Sequence, residues 1–130
     1  MLVIDASVAV AASYTADGFE EFGTEQLVSP PLLWSEARSA LHELFWRGEM
    51  TREDAEQAHT RLEHCPVERA RQRRIGPEAW RIAEDFGWAK TYDAEYIALA
   101  QLLKCRLVTL DARLRRATDS LGIVIGPSEL

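Results

Sequence analysis

An α/β architecture, a parallel β-sheet sandwiched by α-helices, is predicted by three features of this sequence. Short apolar runs suited to buried strands, among them LVI at 2–4, RLVTL at 106–110 and IVI at 123–125, alternate with stretches at helical spacing. The segment YDAEYIALAQLLK is apolar on almost every face, so it requires burial under other elements. Two acids, Asp5 and Asp111, directly follow apolar strands, and open α/β sheets bind ligands beyond the carboxyl ends of their strands.

The elements follow in order. LVI is the first strand, and residues 7–14 form a short helix stopped by the turn signals from Thr15 to Gly18. QLVSPP supplies a brief second strand closed by Pro30 and Pro31, because proline cannot donate to a ladder. A helix then starts in LLWSEARSALHELFWRG, with Leu33, Ala37, Ala40 and Leu44 on one stripe and Gly48 as its stop. Thr51 caps the next helix, TREDAEQAHTRL, with Asp54 at the capping-box spacing, and this helix ends before Pro66. PVERA is a third strand. Gly76 and Pro77 open a helix through PEAWRIAEDFGWA, and Thr91 caps YDAEYIALAQLLK. RLVTLD reads as a strand ending in an acid, DARLRRATDSLG as a helix stopped by Gly122, and IVI as the last strand.

With 130 residues, 47% of them hydrophobic, the chain suffices for one compact domain with a core and is too short for two, so residues 1–130 are read as a single domain. MLVIDASVAV has no basic leader and carries Asp5 inside its apolar run, which fits neither a signal peptide nor a membrane span and makes the cytoplasm the expected location. Cys65 and Cys105 lack CxxC spacing and are assigned no metal or redox role. A net charge of -6 argues against binding nucleic acid by bulk electrostatics. Arg69, Arg71, Arg73 and Arg74 nevertheless cluster in RARQRR, where planar guanidinium groups suit phosphate contacts; a solvated loop is the competing reading.

Four carboxylates occupy positions that call for explanation. Asp5 and Asp111 end strands, Glu36 lies beside the buried stripe of its helix, and Asp93 shares a face with Ile97 and Ala100 in the first turn of another. Taken singly, each has an ordinary structural role: Asp5 and Asp111 as helix caps, Asp93 as a complement to a helix dipole, Glu36 as a partner of Arg38 or Arg47. Together, carboxylates converging on one low-dielectric edge would repel and raise each other's pKa values unless a cation compensated them. Magnesium or manganese suits such a set, since either prefers oxygen ligands and needs only one or two direct carboxylates. Such an ion serves phosphodiester hydrolysis by polarising a phosphoryl oxygen and supplying a nucleophile. Ser7 and Thr109, each two residues from one of these acids, are placed to orient a carboxylate or a water, and capping by Ser7 is the alternative. Glu95 lies off the Asp93 stripe and Asp119 reads as solvent-facing, so both stay outside the site.

MLVIDASVAV, PPLLWSEARSAL, TYDAEYIALA and LVTLDARL together resemble the four ordered acidic motifs of PIN-domain nucleases, especially the VapC toxins of bacterial toxin-antitoxin pairs. The resemblance spans nearly the whole chain and rests on the order and spacing of the motifs. It implies a magnesium- or manganese-dependent RNA endonuclease, a homodimer inhibited by a cognate antitoxin, and Asp5, Glu36, Asp93 and Asp111 as active-site acids. The segment SYTADGFEEFGTEQLVS is shorter than the helical hairpin common in those toxins. Trp34, Leu41 and Phe45 add a second apolar stripe to the Glu36 helix, with Trp46 nearby, which calls for either a thicker core or a partner. A partner's arginine placed among the acids would neutralise them in place of metal. Two other readings stay open. Asp5 after a first strand suits an aspartyl-nucleophile phosphatase, although Ser7 stands where that chemistry usually has a second acid. A non-catalytic acidic pocket for a basic partner segment is the other.

Overall fold

The computed structural model describes all of residues 1–130, and its element order is β1 (Leu2–Ile4), α1 (Ala6–Ser13), β2 (Leu27–Ser29), α2 (Leu32–Trp46), α3 (Arg52–Glu63), β3 (Val67–Arg69), α4 (Ile75–Phe86), α5 (Tyr92–Leu103), β4 (Arg106–Val108), α6 (Ala112–Ala117) and β5 (Val124–Ile125). The five strands form one parallel sheet in the order β3-β2-β1-β4-β5. β1 is central, and its Leu2, Val3 and Ile4 are all buried, as a strand covered on both faces requires. Each such side chain contributes about 2 kcal/mol of burial.

Chain progression reverses at β1, outward through β2 and β3 and then back to β4 and β5. With right-handed crossovers this reversal puts the two helix groups on opposite faces of the sheet. α1, α2 and α3 pack on one another, while α4 packs on α5, which lies against β1 and β4. The fold is thus the expected helix–sheet–helix sandwich. Its apolar side chains form one continuous core that includes Leu33, Ala37, Leu62, Ile82, Ile97 and Leu107. α5 is as buried as its composition demands, with Ala94 and every residue from Tyr96 to Ala100 inside.

Local chemistry sets most boundaries. Thr51 caps α3 by accepting from the Asp54 amide at 3.1 Å. Gly48, at φ 74°, takes the left-handed turn after α2. Other details depart from expectation. α4 ends at Phe86, before the WA of the expected helix, because Gly87 adopts φ 71° and closes it. Thr91 makes no side-chain cap for α5; at φ -103° and ψ 1° it lacks the extended backbone that aims a cap oxygen at the first-turn amides. The helix expected over DARLRRATDSLG breaks into α6 and a 3-10 turn at Asp119–Leu121, and β5 lacks Ile123. A 3-10 turn at Gly18–Phe22 occupies the short link to β2.

The second apolar stripe of α2 divides along its length. Trp34 and Leu41 are buried, Phe45 is half-buried, and Trp46 is 82% exposed. Beside it, α2 and α3 enclose a groove of about 220 Å³ whose lining includes Leu41, His42, Phe45, Arg52 and His59.

Candidate active site

The register places the site. Leu2, Val3 and Ile4 stand opposite Arg106, Leu107 and Val108, so the next residues, Asp5 and Thr109, meet at the carboxyl ends of β1 and β4. This is where the sheet's connections diverge, the crevice in which open α/β folds bind ligands.

Asp5 is 6% exposed and fully engaged. Ser7 and Thr109 donate their hydroxyls to its two carboxylate oxygens, each at 2.5 Å, and the Val8 amide donates at 3.2 Å, capping α1. Both hydroxyls accept in turn: Ser7 Oγ from the Leu110 amide and Thr109 Oγ1 from the Asp111 amide, each at 3.0 Å. One hydrogen-bonded chain therefore ties the end of β1 to the loop after β4 and fixes the rotamer of Asp5. Ser7 orients the carboxylate and does not cap α1. Asp111 caps α6, accepting from the Arg113 amide at 2.9 Å and the Leu114 amide at 3.2 Å, and remains exposed. Capping and membership in the cluster thus coexist at both aspartates.

Glu36 is half-buried and pairs with neither arginine considered for it. Arg38 binds Glu63, and Arg47 lies beside Glu43 on its own helix. Glu36 instead accepts a 2.7 Å hydrogen bond from the Tyr96 hydroxyl, which joins α2 to α5, elements of opposite helix layers. Tyr96 is a partner that the sequence reading passed over, although it follows Asp93 by three residues and so shares its face. Burial and the Glu36 carboxylate push the Tyr96 phenol far above its ordinary range, so it donates at any physiological pH.

The electrostatics record the convergence. Burial raises the pKa of Asp5, against the pull of its three hydrogen bonds, and the Asp111 charge raises it further. Burial also raises Glu36, opposed by the Tyr96 hydrogen bond and reinforced by Asp93, Asp5 and Glu95. Asp93 stands at the solvent-exposed rim, yet the surrounding protein raises its pKa, with Asp5 and Asp111 adding to the shift. Glu95 lies nearer this field than helical spacing suggested: it raises Glu36 and Tyr96, and its own pKa is raised by burial. Asp119 is exposed, away from the cluster and near Arg115.

The four acids thus act on one another, but no three acidic, histidine or cysteine side chains close into a ready-made chelate. Spaced, all-oxygen donors, with Asp5, Glu36 and Asp93 raised in pKa, fit a hard divalent ion that keeps part of its water shell. A cleft of about 360 Å³ opens beside them, lined by Trp88, Asp93, Asp111, Arg113, Leu114 and Ala117. RARQRR contributes nothing to this cleft. Arg69 stacks on Trp34 at 4.0 Å, Arg74 pairs with Glu78 at 3.0 Å, and Arg71 and Arg73 are exposed at the far edge of the sheet.

The family model of the PIN domain matches residues 2–119, which includes all four acids. The chain belongs to the PIN-domain family. Among its relatives, a VapC ribonuclease of Mycobacterium bovis is 34% identical over 115 residues, 88% of each chain. Among solved structures, a Pyrobaculum aerophilum protein shares the fold with a TM-score of 0.75 at 23% identity, over 98% of this chain and 90% of that one. A toxin-antitoxin complex from Klebsiella pneumoniae superposes with a TM-score of 0.68 at 14% identity, over 98% of each chain. These likenesses establish this PIN-domain chain as VapC-like in sequence and PIN-like in fold.

Proposed function

We propose that this PIN-domain protein, as one domain spanning residues 1–130, is a VapC-like endoribonuclease toxin that hydrolyses RNA phosphodiester bonds with magnesium or manganese. The observation that carries the reading is the meeting of Asp5, Glu36, Asp93 and Asp111 at the β1/β4 crevice, three of them with raised pKa values. Its kinship with VapC ribonucleases supports the same reaction. These four acids would hold the ion, which when bound would supply positive charge against the phosphoryl oxygens and activate a water. The remaining work belongs to the protein. Ser7 and Thr109 hold Asp5 in one orientation, and Tyr96 does so for Glu36, so the carboxylates need no reorganisation when an ion and a phosphodiester arrive. Water attacks phosphorus, the bond to the leaving ribose oxygen breaks, and that oxygen takes up a proton.

The protein acts in the cytoplasm as a homodimer restrained by an antitoxin. No helix is long and apolar enough to cross a membrane. The groove between α2 and α3 and the exposed Trp46 and Trp80 offer apolar surface for protein partners. Arg71 and Arg73, exposed and free of ion pairs, supply phosphate contacts outside the cleft.

The test is incubation of the purified chain with total cellular RNA and magnesium or manganese, beside Asp5→Asn. Cleavage at discrete sites by the wild type alone is expected. No cleavage, or equal cleavage by the variant, overturns the reading.

A further inference from the structure

The wall of the acidic cleft carries an arginine and an aromatic ring for which the metal chemistry has no use. Most arginines of the chain are engaged: Arg38 with Glu63, Arg74 and Arg81 with Glu78, Arg115 with Glu129, Arg69 on Trp34. Arg113 differs. It lines the same cleft as Asp93 and Asp111 and forms a salt bridge with neither, its side chain exposed. Its backbone amide is held by Asp111 at 2.9 Å, so the base of the side chain is fixed beside that carboxylate.

Trp88, which lines the same cleft, is half-buried and stacks on Phe86 with centroids 5.0 Å apart and planes 20° from parallel. Its backbone amide donates to Ala83 at 2.8 Å, across the Gly87 turn that ends α4. Phe86 therefore backs the indole, and Trp88 is among the residues that line the cleft, a supported aromatic of the kind on which nucleic-acid bases stack.

The ion compensates the carboxylates at the reacting phosphate, but a chain of net charge -6 gives no bulk attraction to the flanking phosphates, which leaves that contact to a cation on the cleft wall. We propose that Arg113 and Trp88 form a nucleotide clamp on the wall of the cleft, Arg113 binding a backbone phosphate of single-stranded RNA and Trp88 stacking an adjacent base. The clamp rests on the nuclease reading above and names how that site holds its substrate. Both residues are binding residues, and the acids remain the reacting machinery.

The experiment measures binding apart from cleavage. The full chain carrying Asp5→Asn is titrated with a short, fluorescently labelled, mixed-sequence single-stranded RNA in magnesium buffer across a range of sodium chloride. Arg113→Gln added to it is expected to weaken binding about tenfold and to flatten the log–log salt slope by roughly 0.7, the value for one phosphate contact to a single strand. Arg113→Lys restores the slope. Trp88→Leu is expected to weaken binding several-fold at an unchanged slope and to remove part of the tryptophan quenching caused by RNA. Trp88→Phe keeps a stacking face and recovers affinity, which separates stacking from any loss of packing. In the otherwise wild-type enzyme, Arg113→Gln raises KM while kcat holds. An unchanged affinity and slope for Arg113→Gln, or a fall in kcat at constant KM, overturns the clamp. Absence of cleavage by the wild type overturns the nuclease reading alone, because the binding arms still report on Arg113 and Trp88.

Discussion

The acidic edge and the arginine run reach opposite outcomes from opposite sequence patterns. The four acids lie up to 106 positions apart and meet at one crevice, where hydrogen bonds hold Asp5 and Glu36 in place. RARQRR is contiguous, yet it disperses: one arginine stacks on Trp34, one pairs with Glu78, and two face solvent at the edge strand. Nearness in sequence delivers charge to a surface, whereas a site is built by strand register and helix packing. Burial also separates the two regions. In the crevice it shifts carboxylate pKa values upward, while water screens the exposed arginines.

The comparison can be broken most sharply at Asp5. Asp5→Asn keeps the shape of the crevice and removes its most buried charge, so RNA cleavage should fall to background while circular dichroism stays unchanged. Cleavage surviving in this variant would mean that convergence of the acids is incidental.

Tyr96→Phe comes next. It deletes the hydroxyl that holds Glu36 and lowers its pKa, so the Glu36 pKa should rise further and the acidic limb of the pH–rate profile should move to higher pH. The lost hydrogen bond costs about 1 kcal/mol of stability, read by urea denaturation. An unmoved profile would remove Glu36 from the reacting set.

A smaller effect is expected in stability against pH. Asp5 has a folded pKa above its unfolded value of 3.8, so the folded state binds the extra proton. Its stabilising contribution is present below that value and is lost as pH rises through the raised folded pKa. Metal-free wild type should therefore lose thermal stability relative to Asp5→Asn over that rise. Differencing the two removes the surface pairs, such as Arg115 with Glu129, whose carboxylate pKa is lowered to about 2 and whose dependence runs the other way. Manganese at neutral pH should raise the melting temperature of the wild type and leave that of Asp5→Asn nearly unmoved.

The smallest effect belongs to the arginine run. Arg71→Ala with Arg73→Ala should flatten the salt dependence of RNA binding and weaken it only a few-fold, with kcat unchanged. A loss as large as that of Asp5→Asn would make the run part of the site after all.

Much of this was legible before any coordinates. Strand runs such as LVI, the proline pair before α2, the Thr51 cap and the buried character of α5 each follow from local chemistry, and the parallel sandwich follows from their alternation. The boundaries that failed did so for local reasons as well: Gly87 stops α4 early, and Thr91 lacks the backbone angles of a cap. Asp5 and Asp111 were legible as acids at strand ends. Their mutual tie through Ser7, Leu110, Thr109 and the Asp111 amide was not, because it depends on β1 and β4 being neighbours across a hundred residues of chain. Tyr96 carried a weak signal in its spacing from Asp93. Its partner Glu36 lies sixty positions away, and nothing in the pattern of either helix connects them.

The sequence by itself determined the strands, the helices and the four acids, because propensity, periodicity and capping act over a few residues. The tertiary structure alone decided that Glu36 answers to Tyr96 rather than to an arginine, that Arg113 and Trp88 share a cleft with Asp93 and Asp111, and that RARQRR stays outside it. Those outcomes depend on which strands pair and which helix faces meet. They are fixed by burying one common core, to which every element contributes and which no local segment encodes.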